Sequence, residues 1–216
     1  MKKAVIFDMD GVLVDSEPLH KEAESYVLAQ YGIHYTENIA RQYTAYGTEE
    51  LFWKDIAGHF KIELDVSLAV KQKQKYYFNN FNKIELIKPA FNLLKKLKTG
   101  NCRIALASSS SRNVIKKTLS TFALEKYFEY TISSDDVENG KPFPDVFLLA
   151  AQCLKINPQN CIVIEDSVNG VKAGKAAGMT VIAVPNAFTE SFNFSEADYI
   201  LKSLDEFTSL NLIYMN

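Results

Sequence analysis

The chain is predicted to fold as an α/β protein: a parallel sheet between two helical layers, with an all-helical segment inserted after the first strand. Three observations carry this. Short apolar, β-rich runs recur as KAVIFD (3–8), RIALAS (103–108), YTIS (130–133), CIVIED (161–166), TVIAV (180–184) and DYIL (198–201). Helical patterns separate most of them. The runs are apolar throughout rather than alternating, as in strands covered on both faces.

Each helix has its own signals. One begins near Pro89 and continues through Phe91, Leu93, Leu94 and Leu97 to a stop at Gly100. A second covers Asn113 to Thr121, a third runs from Asp145, after Pro144, to Leu154, and a fourth spans Val168 to Ala177 with Gly178 as its cap. Residues 16 to about 86 break the rhythm, showing only helical pattern and aromatic stretches such as YYFNNF (76–81). The expected division is a core of 1–15 and 86–216 and a helical cap of 16–85, entered near Asp15-Ser16 and left near Ile84 to Lys88. The stretch GVKAGKAAG (170–178) does not fit a phosphate-binding P-loop, because three residues separate Gly170 from Gly174 and Lys175 precedes Ala176. It reads as a glycine-bearing helix packed on the sheet.

Composition narrows the functional classes. A formal charge of −2 gives no electrostatic case for nucleic acid or anionic membrane. The apolar run after Met1-Lys2-Lys3 stops at Asp8, too early for a signal peptide, and no stretch is long enough to span a bilayer. A soluble cytoplasmic protein, acting as a monomer, is the expectation. Cys102, Cys153 and Cys161 form no CxxC pattern and are expected to be buried, reduced thiols.

The chemistry gathers where strands end. In an open parallel sheet, ligands bind beyond the carboxyl ends of the strands. Here those ends carry Asp8-Met9-Asp10, Ser108-Ser109 and Glu165-Asp166-Ser167, and Lys141 sits in the loop GKPFPD (140–145) before a helix. Buried carboxylates call for a cation. A hard ion such as Mg²⁺ takes oxygen ligands and keeps one or two carboxylates plus a substrate phosphate. Asp8 and Asp166 could supply them. Aspartate can attack phosphorus, Asp10 could serve the leaving group as acid and then water as base, and Ser108 and Lys141 could hold phosphate oxygens.

DMDGV (8–12), Ser108 after an apolar strand, Lys141 in KPFPD, and EDS (165–167) followed by Asn169-Gly170 appear in the order and spacing of one family. The chain resembles a haloacid dehalogenase superfamily phosphotransferase of the β-phosphoglucomutase-like group with a helical (C1) cap, on a Rossmann-like core. The likeness spans the core and extends to the cap through DSEPLH (15–20). It implies Asp8 as nucleophile and metal ligand, and Asp10 as acid/base with its main-chain carbonyl on the metal. Asp166 would be a second ligand, with Glu165 beside it binding directly or through water. Lys141, Ser108 and Ser109 would hold phosphate, and His20 is a candidate for substrate contact or gating. Aspartate at both 8 and 10 fits phosphoryl transfer rather than dehalogenation.

The expected activity is Mg²⁺-dependent hydrolysis of a small phosphomonoester, a sugar phosphate, through an aspartyl-phosphate. A β-phosphoglucomutase-type mutase is the alternative, and a catalytically silent phosphate-binding regulator the second. A mutase needs a cap cation for a second phosphate. In the mutases of this group an arginine follows Gly-Val-Ser, whereas this chain reads AYGTEELFW (45–53). Glu49 or Glu50 stands where the cation would be, leaving Arg41 or Lys73 as the remaining candidates.

Overall fold

The computed structural model describes residues 3–43 and 49–210, apart from the side chains of Arg41 and 208–210. In chain order the elements are β1 (Ala4–Phe7), β2 (Val14–Asp15), α1 (Glu17–Ala29), α2 (Glu37–Tyr43), α3 (Glu49–Phe60) and α4 (Val66–Asn79). There follow β3 (Glu85–Leu86), α5 (Lys88–Thr99), β4 (Arg103–Ala107), α6 (Arg112–Thr121) and β5 (Tyr130–Ile132). Then come α7 (Asp145–Leu154), β6 (Cys161–Glu165), α8 (Val168–Ala176), β7 (Thr180–Ala183) and β8 (Tyr199–Ile200), followed by a 3₁₀ helix over Leu204–Leu210. Two compact units result, one of residues 1–14 with 86–216 and one of residues 15–85.

The first unit is a six-stranded sheet in the order β5-β4-β1-β6-β7-β8, with every pairing parallel. Within this sheet the chain order reads 3-2-1-4-5-6, the doubly wound arrangement in which the winding reverses beside the first strand. The reversal falls between β1 and β6. Phe7 pairs with Leu106 on one side and Ile164 on the other, so the residues that follow these three strands emerge together.

All of β1 and β6 is buried, as continuous apolar strands require. Ala4, Ile6, Ala105, Ala107, Val163 and Val181 face α7 and α8, where they pack with Phe147, Leu154 and Val171. The alternate residues point the other way. There Phe7 meets Phe128 edge-on, and Phe91 of α5 meets Tyr127. In α8 a Cβ on Gly174 would lie 2.7 Å from Val181 Cγ2, so the glycine lets the helix sit close on the sheet. Gly178 follows α8 at φ +71°, the left-handed stop expected of it. Gly100 does not take that role: its φ is −79°, and Asn101 adopts the left-handed conformation instead, at φ 55°. Asparagine tolerates this geometry better than most residues. Of the cysteines only Cys161 is fully buried; Cys102 and Cys153 are partly exposed. Burial nevertheless pushes the Cys102 thiol up to about 11.

The second unit holds α1 to α4 around Trp53, Phe52, Ile56, Val27, Leu28 and Ala69. Its polar centre is Lys73 of α4, buried between Glu24 of α1 at 3.2 Å and Glu49 of α3 at 3.1 Å. Tyr35 donates to Glu24 at 3.1 Å. Burial works against the Lys73 charge, but the two carboxylates outweigh it and hold the ammonium above its ordinary range. His20 of α1 stacks on Tyr77 of α4 with ring centroids 4.5 Å apart. Burial, aided by Lys73, lowers its pKa well below the ordinary 6.5. In a pH titration followed by NMR, the His20 Cε1–H signal should therefore keep its neutral-ring position on both sides of about 6.5 and move only in stronger acid.

β2 and β3 pair as a separate two-stranded ribbon where the chain leaves and rejoins the first unit. Among the described residues, no helix is long and apolar enough to cross a membrane.

Candidate active site

The site begins as a continuation of the sheet. The Asp8 amide donates to Ile164 O at 3.0 Å, extending the β1–β6 ladder past the end of β1. The chain then turns sharply. Leu13 N and Val14 N both donate to Met9 O, and Gly11 N donates to Val14 O at 2.8 Å. Gly11 sits at φ +74°, and a Cβ there would lie 2.0 Å from Asp166 Oδ2. Glycine is needed twice over, for the backbone and for the approach of Asp166.

Lys141 occupies the centre. Its Nζ donates to Asp8 Oδ1 at 2.5 Å, Glu165 Oε1 at 2.7 Å and Ala107 O at 3.1 Å. Three acceptors match the three N–H groups of an ammonium. The same nitrogen lies 4.8 Å from the Phe147 ring centroid, so an aromatic face lines its remaining side. The Lys141 side chain is 5% exposed. Burial disfavours its charge, but Asp8 and Glu165 more than compensate and hold it above its ordinary range.

Glu165, 1% exposed, has both oxygens engaged. Oε1 takes Lys141, and Oε2 accepts from the amides of Asp166 and Ser167 and from Ser167 Oγ at 2.9 Å. Ser167 also caps α8, accepting from Gly170 N at 3.0 Å. The carboxylate lies so close over the first turn that a Cβ on Gly170 would fall 1.8 Å from Glu165 Cδ. Gly170→Ala should therefore displace Glu165 and, through it, Lys141. We expect a loss of about 1–3 kcal/mol in calorimetric stability, typical of overpacking, together with a drop in turnover. An unchanged melting temperature would show that the helix start has more room than this geometry allows.

The serines after β4 make distinct contacts. Ser108 is buried, and its Oγ accepts from Ser110 N at 3.0 Å. Ser110 Oγ donates to Asp10 Oδ2 at 2.7 Å, while Ser109 is exposed. Ser110 thus reaches Asp10, which its place in a run of four serines did not disclose. Asn186 is a second residue that the motifs do not reveal: its Nδ2 donates to Asp166 Oδ2 at 2.7 Å. Pro185-Asn186 is a turn signal in sequence, but only the fold shows which carboxylate the turn meets. Asp8, Asp10, Ser108, Lys141, Glu165 and Asp166 all belong to the first unit, whereas His20 belongs to the second.

Four acids share this region with one ammonium. Carboxylate oxygens of Asp8, Glu165 and Asp166 lie within 4.8 Å of one another. Burial raises the Asp8 pKa to about 8 against the pull of Lys141, with Glu165 and Asp10 adding to the rise. The site is short of positive charge, and its donors are hard oxygens. Both properties fit a divalent cation such as Mg²⁺. Asp8 and Asp166 are the carboxylates that suit it best, because Glu165 is committed to Lys141 and to backbone amides.

Comparison with known proteins gives the same direction. A model described as haloacid dehalogenase-like hydrolase matches residues 5–184. The chain is 36% identical over 188 residues to the Phosphorylated carbohydrates phosphatase of Thermotoga maritima, which covers 82% of each protein. CbbY from Rhodobacter sphaeroides, solved in complex with phosphate, superposes with TM-score 0.84 at 26% identity over 95% of this chain and 96% of that one. The β-phosphoglucomutase of Clostridium difficile superposes with TM-score 0.84 at 25% identity over 98% and 97%. The family match runs from the second residue of β1 to the residue after β7 and takes in the ends of β1, β4 and β6 together with Lys141; the chain belongs to the haloacid dehalogenase-like hydrolase family.

Proposed function

We propose that this chain, a phosphoric monoester hydrolase of that family, cleaves a sugar phosphate in a Mg²⁺-dependent reaction through an aspartyl-phosphate on Asp8. The observation that carries the reading is the meeting of Asp8, Asp10, Lys141 and Asp166 at the sheet's reversal point, where an open α/β sheet binds its ligands. Sugar phosphates are favoured because the Thermotoga maritima relative bears the name of a phosphatase for phosphorylated carbohydrates.

Asp8 and Asp166, with the main-chain carbonyl of Asp10, would hold Mg²⁺; the bound ion would neutralise charge between an anionic nucleophile and an anionic substrate. An Asp8 carboxylate oxygen forms the bond to phosphorus as the bond to the leaving oxygen breaks. Asp10, set in place by Ser110, gives its proton to that oxygen. It then takes a proton from water, which attacks phosphorus and releases Asp8 and inorganic phosphate. Lys141 balances the charge that grows on the phosphoryl oxygens, and the Ser108 hydroxyl and Ser109, ahead of the α6 N-terminus, would hold those oxygens. For His20 we propose substrate contact or gating.

Hydrolysis is preferred over mutase activity because Lys73 is buried between Glu24 and Glu49 rather than open to a second phosphate. The other candidate, the Arg41 side chain, lies outside the described residues, as do residues 44–48.

The test is phosphate release from a panel of sugar phosphates, with Mg²⁺ and with EDTA. A parallel assay follows glucose 6-phosphate formation from β-glucose 1-phosphate with a trace of the 1,6-bisphosphate. Release that EDTA abolishes supports the proposal. Glucose 6-phosphate forming faster than free phosphate would replace it with the mutase reading, and no turnover of any substrate would favour a silent regulator.

A further inference from the structure

We infer that Asn186 is a positioning residue that fixes the Asp166 carboxylate for the divalent cation, an assignment that rests on the function proposed above. Asn186 stands in the turn 185–189, just past the end of β7. The turn is locked from within. Asn186 N donates to Thr189 Oγ1 at 3.0 Å, and Phe188 N donates to Asn186 Oδ1 at 2.9 Å. Thr189 N also donates back to Asn186 O, and the Thr189 side chain is buried.

This network settles which end of the amide faces the acid. Oδ1 is taken by the Phe188 amide, so the atom directed at Asp166 is Nδ2, a donor. It meets Asp166 Oδ2 at 2.7 Å. That contact fixes the rotation of the carboxylate about its Cβ–Cγ bond, a terminal torsion that is otherwise broad. Asp166 is held against the backbone at the same time. The Cβ position on Gly11 would lie 2.0 Å from Asp166 Oδ2 and 2.8 Å from Asn186 Nδ2. Amide, carboxylate and the Gly11 backbone are stacked in contact, so one oxygen of Asp166 is held between the β1 turn and the β7 turn.

A neutral donor suits this place. It stabilises the ionised carboxylate without adding a positive charge that would compete with the cation. The ligand's orientation is thereby set before the ion arrives. Partners of metal-binding carboxylates that act in this way typically cost 10- to 100-fold in metal affinity when removed.

Two variants separate orientation from folding. Asn186→Ala removes the donor to Asp166. Thr189→Ala loosens the same turn but keeps the donor. Mg²⁺ binding to the metal-free protein is measured by isothermal titration calorimetry, with circular dichroism to confirm folding. The expected result is a 10- to 100-fold rise in Kd for Asn186→Ala and less than about a threefold change for Thr189→Ala. Turnover at saturating Mg²⁺ should recover more fully for Asn186→Ala than turnover at low Mg²⁺. Equal losses of affinity in the two variants, or none in Asn186→Ala, would overturn the assignment while leaving the proposed hydrolysis standing. Absence of saturable Mg²⁺ binding in the unmodified protein would overturn both. Should Asn186→Ala fail to fold, Asn186→Ser, which is too short to reach the carboxylate, takes its place with the same expected rise.

Discussion

Asp8→Asn should reduce turnover by roughly 10³-fold or more, the scale of losing the group that forms the bond. An amide is a poor nucleophile and a poor ligand for a hard cation. The same change should leave the fold intact. The introduced amide retains an oxygen that can accept from Lys141, and Glu165 continues to pair with that ammonium. The substitution also replaces an acid whose ionised form burial disfavours, its pKa being raised to about 8, with a neutral group. The melting temperature of the metal-free variant should therefore match or exceed that of the parent. Phosphate release and a thermal scan on one preparation check both statements. Turnover close to that of the parent would exclude Asp8 as nucleophile.

Lys141→Ala should cost both activity and stability. The ammonium satisfies Asp8, Glu165 and the Ala107 carbonyl, and the whole group is buried. Its removal leaves two carboxylates facing each other with no counter-charge. Breaking a buried pair in this way costs about 3–5 kcal/mol. Turnover should fall by about 10²- to 10³-fold, as for other preorganised donors aimed at developing charge. Lys141→Arg should not rescue it, because a planar guanidinium cannot direct its donors to three converging acceptors as an ammonium does. Chemical denaturation and single-turnover kinetics measure the two losses separately. A stable, inactive Lys141→Ala would show that the pairing with Glu165 contributes little to the fold.

The two residues just considered were visible in the linear order because their surroundings are local: a buried strand running into DMD, and a lysine framed by Pro142 and Pro144. The six strand runs and four core helices were visible for a similar reason, since unbroken apolar strands and capped helices are written in consecutive residues. Partners across the fold were not. Glu165 looked like one more acid on a strand end, yet Lys141, two backbone amides and Ser167 engage both its oxygens. Ser110 could not be told from Ser109 until the turn after β4 aimed one of them at Asp10. Lys73 read as a spare cation because Glu24 and Glu49 come from other helices. Asn186 lies twenty positions from Asp166, and only the parallel pairing of β6 with β7 brings their strand ends together.

The strand order has a consequence for how the protein is made. β1, which leads directly into Asp8, leaves the ribosome ahead of both its sheet neighbours, β4 at 103–107 and β6 at 161–165. Until those segments emerge, Ala4 to Phe7 is an apolar strand with both edges open, the kind of segment that sticks to other nascent chains. Synthesis at about 5–20 residues per second sets a wait of many seconds before both edges can be covered. Parallel pairing across such long separations is also intrinsically slow, because loop closure comes before any pairing energy is recovered. One of the two central, fully buried strands of the finished sheet is thus the one exposed longest during its production.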